Sequence, residues 1–305
     1  MTTITAQIIA DSISPEKIRL TTMLLRYPRF IHAELMTHRV FSRNASSSRA
    51  IPVERSIQAI LQDTAMPMHW GKNQKGMQAE EECNTRMDDG FDGCSRETAW
   101  LWARDNAIKV AQGYVNAGYH KQIVNRLLEP FSHINVVVTS TYWKNWYKLR
   151  DHPMAMPEIQ ILAREMFDKQ LSSKPQELEP GQWHLPFVGN EDKYNLAGNT
   201  MLMQAHETDF NGILIRLSVA RCARTSYLTT EGKKPDISSD LKLYDRLVGS
   251  EPLHASPAEH QATPDERFWG KPEIWMHRNQ HGNLFGWRQY RKMLTGEFAN
   301  DYETF

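Results

Sequence analysis

Thr37-His38-Arg39-Val40-Phe41-Ser42-Arg43-Asn44-Ala45-Ser46-Ser47-Ser48-Arg49 holds hydroxyls, guanidinium groups and one imidazole, and no carboxylate. So many donors with no acceptor charge meet what phosphate or pyrophosphate oxygens require, which makes the stretch an anion site by composition. The same composition suits a solvated Ser/Arg loop, and other segments must decide between the two. Upstream, Ile4 to Ile13 and Ile18 to Leu25 are β-branched and alternating around Ser14, Pro15 and Glu16, a hairpin that leads to Pro28. Pro28 suits a first helical turn, Arg29 to Thr37 follows a helical pattern, and Arg39 to Ala50 is expected as an exposed polar loop. Downstream, Pro52 to Asp63 carries Val53, Ile57, Ile60 and Leu61 at helix spacing.

Further out, residues 69 to 95 are rich in glycine and mixed in charge, and read as a long loop or lid. Glu97 to Ala117 places Trp100, Leu101, Ala103, Ala107, Val110, Ala111 and Tyr114 at steps of three and four, the pattern of a core helix. Lys121 to Leu128 is a short helix stopped by Pro130; Ile134 to Val138 is a β-branched run; Tyr142 to Leu149 and Ile159 to Leu171 read as helices. Ser172 to Asn199 has no sustained period and is expected as loop. Asn199 to Val219, Asp240 to Val248 and Leu284 to Leu294 are expected as helices. No long period repeats and no clean linker divides the chain. The reading is therefore one α+β domain over residues 1 to 305, mainly helical with a small antiparallel sheet, with loop insertions near 69 to 95 and 172 to 198.

The 305 residues include 36 Lys+Arg and 36 Asp+Glu, a formal net charge of zero. Such a balance builds no broad positive field for nucleic acid or an anionic bilayer, so any anion must be held locally. Three cysteines (Cys83, Cys94, Cys222) form no Cys-x-x-Cys pair, which points to a reducing compartment and a cytoplasmic location. No apolar run is long enough to span a membrane, and the amino terminus lacks a basic, then apolar, leader pattern.

Five separated motifs resemble the flavin-dependent thymidylate synthase (ThyX) family. The family signature is Arg-His-Arg, seven residues, Ser, and Arg two positions on; His38, Arg39, Ser47 and Arg49 fall on that spacing, with Asn44 at the family's Asn and Pro28 and Phe30 upstream. Thr37 replaces the first Arg, Ala45 a usual Glu, Ala50 a usual Tyr, and Glu34 stands where Gln is common. Arg126-x-x-x-Pro130 and Asn145-x-x-x-x-Arg150 match two further family patterns. Ala223-Arg224-Thr225-Ser226-Tyr227 resembles the family's Ala-Arg-Val-Ser-Tyr/Phe, and His254-Ala255-Ser256-Pro257-Ala258-Glu259-His260 its His-x-Ser/Thr-Pro-Phe-Glu-His. In the family the last two motifs precede the Arg-His-Arg motif, whereas here they follow it. A circular permutation accounts for this simply, because joining surface termini leaves a packed core unchanged.

The resemblance implies transfer of a one-carbon unit from methylenetetrahydrofolate to C5 of dUMP, with FAD carrying reducing equivalents from NADPH. No protein nucleophile is required, which suits cysteines without a recognisable nucleophile context. By the family positions, Ser47, Arg49 and Arg126 contact the nucleotide, Glu34 lies beside it, and Arg150 polarises the base. His38, Arg39, Asn44, Asn145, Ser226, His254 and Ser256 contact FAD, in sites shared between subunits of a homotetramer.

Other readings stand beside these. Arg126 and Arg150 also suit helix C-terminal cations, and Trp143, Trp146 and Tyr147 suit a core better than a stacking platform. A carboxylate at Glu34 could accept from a cytosine amino group, which opens a dUMP or dCMP methylase or hydroxymethylase. A noncatalytic nucleotide-binding module is the alternative of a different class. His277 and His281 have the spacing of a helical metal pair, but Gly282 breaks the helix; Glu81, Glu82, Asp88 and Asp89 lack a calcium loop's alternation. No metal site is expected.

Overall fold

Alternation between Thr5 and Pro28 builds a hairpin, and in the computed structural model it is the centre of a five-stranded sheet. The structure describes residues 2–76, 79–88, 90, 92–226, 236–249, 251 and 253–297. Strands β1 (Thr5–Ile13) and β2 (Arg19–Pro28) pair antiparallel with a bulge between Ile8 and Ala10. The turn between them closes with Lys17 N–H donating to Ser14 O (2.9 Å) and Ser14 N–H to Ile18 O (3.1 Å). Pro28 therefore ends a strand; a 3-10 turn (Arg29–Ile31) and a single turn of helix, α1 (His32–Met36), follow it.

The segment expected as an exposed loop after α1 is instead partly a strand. β3 (Ser42–Ala45) pairs antiparallel with β4 (His133–Ser140), which pairs on its other side with β2; the sheet order is β3-β4-β2-β1-β5, where β5 (Gln176–Glu177) adds a short parallel edge to β1. Phe41, Ser42, Ser46 and Ser48 are buried. Their burial is tolerable because the hydroxyls are bonded: Ser46 Oγ accepts from Asn135 N–H (3.1 Å) and Ser48 Oγ donates to Glu129 Oε1 (2.6 Å).

One sheet face carries the apolar core. Met23, Leu25 and Tyr27 lie opposite Val138, Val136 and Ile134, and pack on α5 (Lys144–Arg150) and α6 (Pro157–Ser172) through Trp143, Trp146, Ile159, Leu162 and Met166. The tryptophans are thus core. Strand period two sets this pairing, so the other face carries Thr22 opposite Thr139 and Arg26 opposite Asn135.

A second cluster joins α2 (Val53–Gln62), α3 (Arg96–Asn116) and α4 (Lys121–Val124) through Ile57, Ile60, Ile108, Ala111 and Val124. α3 covers this cluster with one stripe only; Trp102, Val110 and Tyr114 are exposed, so it is not wholly a core helix. Its start is capped by Ser95, whose Oγ accepts from Thr98 N–H (3.2 Å). Its end needs a left-handed residue, supplied by Gly118 at φ +83°, whose N–H donates to Val115 O (2.9 Å). Ser95→Ala is expected to lower unfolding free energy by about 1 kcal/mol in a urea titration. An unchanged midpoint would mean the cap bond is absent in solution.

The third group is α7 (Asn190–Leu196), α8 (Thr200–Ala205), α9 (Phe210–Ala223) and α10 (Ile237–Val248). α7 falls inside the stretch expected as loop, and one expected helix is two, separated before the Asp209 cap that accepts from Gly212 N–H (2.7 Å). Buried Arg221 on α9 spends its fork on Asp192 (2.7 and 2.8 Å) and Asp240 (2.9 Å). Beyond it, β6 (Ala262–Pro264) pairs with β9 (Trp287–Gln289), and β7 (Arg267–Phe268) with β8 (Lys271–Trp275). The helix expected over Leu284 to Leu294 is therefore strand β9 and a 3-10 turn (Tyr290–Met293). Among the described residues no helix is long and apolar enough to cross a membrane.

Candidate functional site

The polar stretch after α1 is held from two sides. α5 ends at Arg150, whose Nε donates to His38 Nε2 (3.0 Å) and whose Nη2 donates to Thr37 Oγ1 (3.1 Å) and reaches Glu34 O (3.5 Å). His38 is 7% exposed, stacked on Phe41 and edge-on to Trp146 at 4.8 Å. Accepting at Nε2 places the ring proton on Nδ1. Burial, then the charges of Arg150 and Arg43, push its pKa down to about 4, so the ring is neutral at pH 7. Burial also raises the Glu34 carboxyl, against the opposing pull of Arg150. Arg150 Nη1 has no hydrogen-bond partner among the described residues, which leaves one arm of the fork for a ligand.

On its other side the stretch meets the Ser256–Glu259 turn, which packs on β3. With its amide nitrogen facing acceptors, Asn44 donates to Ser256 O (3.2 Å) and Arg43 O (3.0 Å). A cavity of about 400 Å³ opens here, lined among others by Arg39, Arg43, Glu259, Asn283, Gln289 and Lys292. Its contents are mostly donors with one carboxylate, and Glu259 is engaged by Arg291. Such a donor set fits the pyrophosphate of a dinucleotide such as FAD. Asn283 Nδ2 donates to Val40 O (2.9 Å), and Gln289 Nε2 to Glu259 O (3.0 Å), so the C-terminal segment braces the motif residues.

Ser47 and Arg49 lie in the turn between β3 and α2, where Ala50 N–H donates to Ser47 O (3.0 Å) and Arg49 is exposed. Arg126, in a 3-10 turn after α4, is exposed and paired with Glu129 (2.9 Å), the carboxylate that also accepts from Ser48. Asn145 is exposed on α5, five residues before Arg150. His254 is exposed, its N–H donating to Leu247 O (2.8 Å). Ser226 ends a 3-10 turn (Arg224–Ser226) that packs on β3 and β4; Tyr227 lies outside the described residues. The structure thus brings Glu34, Thr37, His38 and Arg150 together, and Asn44 to Ser256, within one chain. Neither described cavity is lined by Asn145, His254, Ser47 or Arg49.

Sequence reasoning did not find Arg43, Asn283, Gln289, Arg291 or Lys292. Only the Ser/Arg richness around Arg43 pointed there, and the period over Leu284 to Leu294 read as a helix and did not place the C-terminal residues beside β3. The rejected metal pair is accounted for: His277 Nδ1 and His281 Nε2 both bond buried Asp265 (2.9 and 2.8 Å). Among the described residues no group of three or more His, Cys, Asp or Glu side chains could hold a metal ion. Cys222 is buried 3.5 Å from the Gln261 side-chain amide, and its thiol is pushed up by burial, the reverse of an activated nucleophile.

No family model and no curated protein matches the chain. Among solved structures, the chain is similar to the UMP/dUMP methylase PolB from Streptomyces cacaoi bound with 5-Br UMP, at 16% identity and TM-score 0.44, over 56% of this chain and 89% of that one. It is also similar to thymidylate synthase X (ThyX) from Helicobacter pylori with FAD and dUMP, at 15% identity and TM-score 0.33, over 50% of this chain and 67% of that one. The second carries the name of the family that the five motifs resemble.

Proposed function

We propose that the protein transfers a one-carbon unit from methylenetetrahydrofolate to C5 of a deoxypyrimidine nucleotide, dUMP to dTMP, as a circularly permuted, cytoplasmic flavin-dependent thymidylate synthase. The observation that carries this reading is Arg150: it reaches His38 across a sequence separation of 112, in register with two separate motifs, and keeps Nη1 uncommitted. Bound FAD would supply the reducing equivalents, drawn from NADPH. His38, Arg39 and Asn44, with Arg43 and Lys292, would hold it on the donor-rich side of β3; Asn145, Ser226, His254 and Ser256 are assigned to it by the motifs alone.

On the nucleotide, Ser47, Arg49 and Arg126 would grip the phosphate, the guanidinium forks matching it bidentately. Neutral His38 accepts from Arg150 and so fixes the plane of the fork. Arg150 then faces a pyrimidine carbonyl and stabilises the negative charge that develops when C5 becomes nucleophilic. Exposed Leu149 and Met154 flank this helix end, and exposed Tyr142 precedes the helix start; they offer apolar contacts for the homotetramer in which sites are shared.

One observation favours a second reading within the same chemistry. Glu34 is half-buried; burial raises its carboxyl, but the Arg150 charge opposes that rise and favours the ionised form, which presents only acceptors. The ionised form suits the cytosine amino group, and dCMP, with a methyl or hydroxymethyl product, is the alternative. The test is to incubate the purified protein with FAD, NADPH, methylenetetrahydrofolate and, separately, dUMP, dCMP and UMP, and to weigh the products. A methyl gain on dUMP is expected, from a yellow protein whose flavin absorbance bleaches on NADPH. Turnover of dCMP alone selects the second reading; bound flavin with no turnover of any nucleotide defeats both, and failure to bind flavin favours a binding module.

A further inference from the structure

Behind the motif stretch lies a second cavity, of about 330 Å³, and none of the residues assigned to substrate or flavin lines it. Ser46 and Ser48 face it, whereas Ser47 and Arg49 do not. Its walls are the back-face ends of β2 and β4 (Arg26, His133, Asn135), Arg29, Asn125, and Arg55 on α2. Its volume falls in the ordinary range for small-molecule sites.

Several polar groups on this wall are buried with their valences open. The His133 side chain is 4% exposed, and neither ring nitrogen has a hydrogen-bond partner; Nδ1 stands 3.8 Å from Asp63 Oδ2. Asn125 gives both amide hydrogens away, to Ser48 O (2.7 Å) and Ile51 O (2.8 Å), and its Oδ1 is buried with no donor. Arg29 Nε and Nη2 go to Ser132 Oγ (3.2 Å) and Ser46 O (3.3 Å), which leaves Nη1. Buried groups in this state carry a desolvation cost that a matching ligand removes.

Charge narrows the ligand. Arg26 is paired with Asp63 (2.8 Å), and Glu129 is committed to Arg126 and Ser48. Arg29 and exposed Arg55 have no carboxylate within salt-bridge distance among the described residues, so the cavity presents a net positive wall. Beside that wall stand one acceptor needing a hydrogen (Asn125 Oδ1) and a neutral imidazole offering one donor and one acceptor. Apolar Ile51, Ala59, Ile60 and Leu128 also line it.

We propose that this cavity is a second ligand site, separate from the proposed substrate site, that binds a nucleoside monophosphate. Its phosphate lies against Arg29 and Arg55, and the hydroxyl or imide hydrogens of its nucleoside meet Asn125 and His133.

The experiment titrates the full-length protein with dTMP, thymidine and inorganic phosphate by calorimetry, while imidazole NMR follows His133, assigned by its loss in His133→Gln. The expected result is a His133 shift with dTMP, weaker binding of phosphate, and weaker binding still of thymidine. Arg55→Glu should weaken the dTMP-linked shift by about tenfold, the worth of one charge-assisted bond, with an unchanged melting temperature in the absence of ligand. Arg49→Glu should leave that shift intact. A His133 resonance unmoved by dTMP, or an Arg55→Glu variant that responds like the parent, overturns the proposal. Phosphate binding as tightly as dTMP also overturns it, because the nucleoside groups would then go unused. Turnover is read separately, so loss of the proposed activity leaves this result standing.

Discussion

Replacing Arg150 with lysine is expected to lower turnover about 10²- to 10³-fold, the usual loss when one preorganised donor to developing charge is removed, while nucleotide dissociation constants change only a few-fold. The split follows from the fork. Nε and Nη2 are spent on His38 (3.0 Å) and Thr37 (3.1 Å), which hold the guanidinium plane and leave Nη1 free. An ammonium on a flexible stem cannot bond His38 and present a second donor in a fixed direction. It keeps the positive charge, however, and charge is most of what ground-state binding needs. His38→Gln, which retains an acceptor for Nε, should recover most of the activity that His38→Leu loses. Steady-state kinetics with equilibrium binding of nucleotide decide the matter: equal losses in kcat and affinity would assign Arg150 to binding, and no loss would remove it from the site.

Where a segment's own period matched its environment, the fold was legible in the sequence. The hairpin, α2 and α3 each bury one face on a period of two or near four, and their ends carry proline, serine or glycine signals. β3 was hidden because it is short and polar: a strand of Ser42, Arg43, Asn44 and Ala45 has no apolar alternation, and only its ladder with β4 makes it one. β9 was hidden for the opposite reason. Leu284 and Trp287, three apart and both fully buried, imitate a helical stripe, although the local alternation of Trp287, Arg288 and Gln289 is that of a strand. α7 begins after Gly189 with Asp192 capping its start, a signal masked by surrounding glycine and proline.

Motif spacing, not periodicity, pointed to the candidate site. His38, Asn44, Arg150 and Ser256 sit on three distant segments, and no local pattern says that they meet. Asn283, Gln289 and Lys292 reach the same region from a stretch that none of the five motifs covers and whose period read as a helix, so neither placed them. The second cavity was still less visible. Arg26, His133 and Asn135 read singly as ordinary strand polar residues, and they converge only because β2 and β4 pair in the register that sets Arg26 opposite Asn135.

That same back face holds a buried pair that should respond strongly to acid. Ser12, His184, Thr22, Thr139 and His260 form a buried line of hydrogen bonds, with successive separations of 2.8, 2.8, 2.6 and 2.8 Å. His260 Nε2 is buried with no partner. A bare lone pair costs less there than a bare N–H, so the line runs one way: His260 Nδ1–H donates to Thr139, Thr139 to Thr22, Thr22 to His184 Nε2, and His184 Nδ1–H to Ser12. Protonating His184 at Nε2 puts a hydrogen against the Thr22 hydroxyl hydrogen, and protonating His260 leaves a charged N–H unpaired. Burial pushes both rings down to about 3; Asp11 opposes this at His184, and the His184 charge reinforces it at His260. The unfolded rings titrate near 6.5. A basic group depressed on folding leaves the unfolded chain with more protons between the two values, so its stabilisation is complete above about pH 6.5 and is lost as pH falls toward 3. At pH 5 the unfolded state should hold about two more protons from this pair, a slope of roughly 3 kcal/mol per pH unit. Urea unfolding measured at half-unit steps from pH 7 to 4.5 should show that slope. His184→Gln combined with His260→Gln keeps amide donors and acceptors in the line but cannot titrate, and should remove this pair's share of the slope, leaving that of His38 and His133, whose rings burial pushes down to about 4. A double variant that unfolds with the parent's pH dependence would place the titration elsewhere and leave the two rings as packing alone.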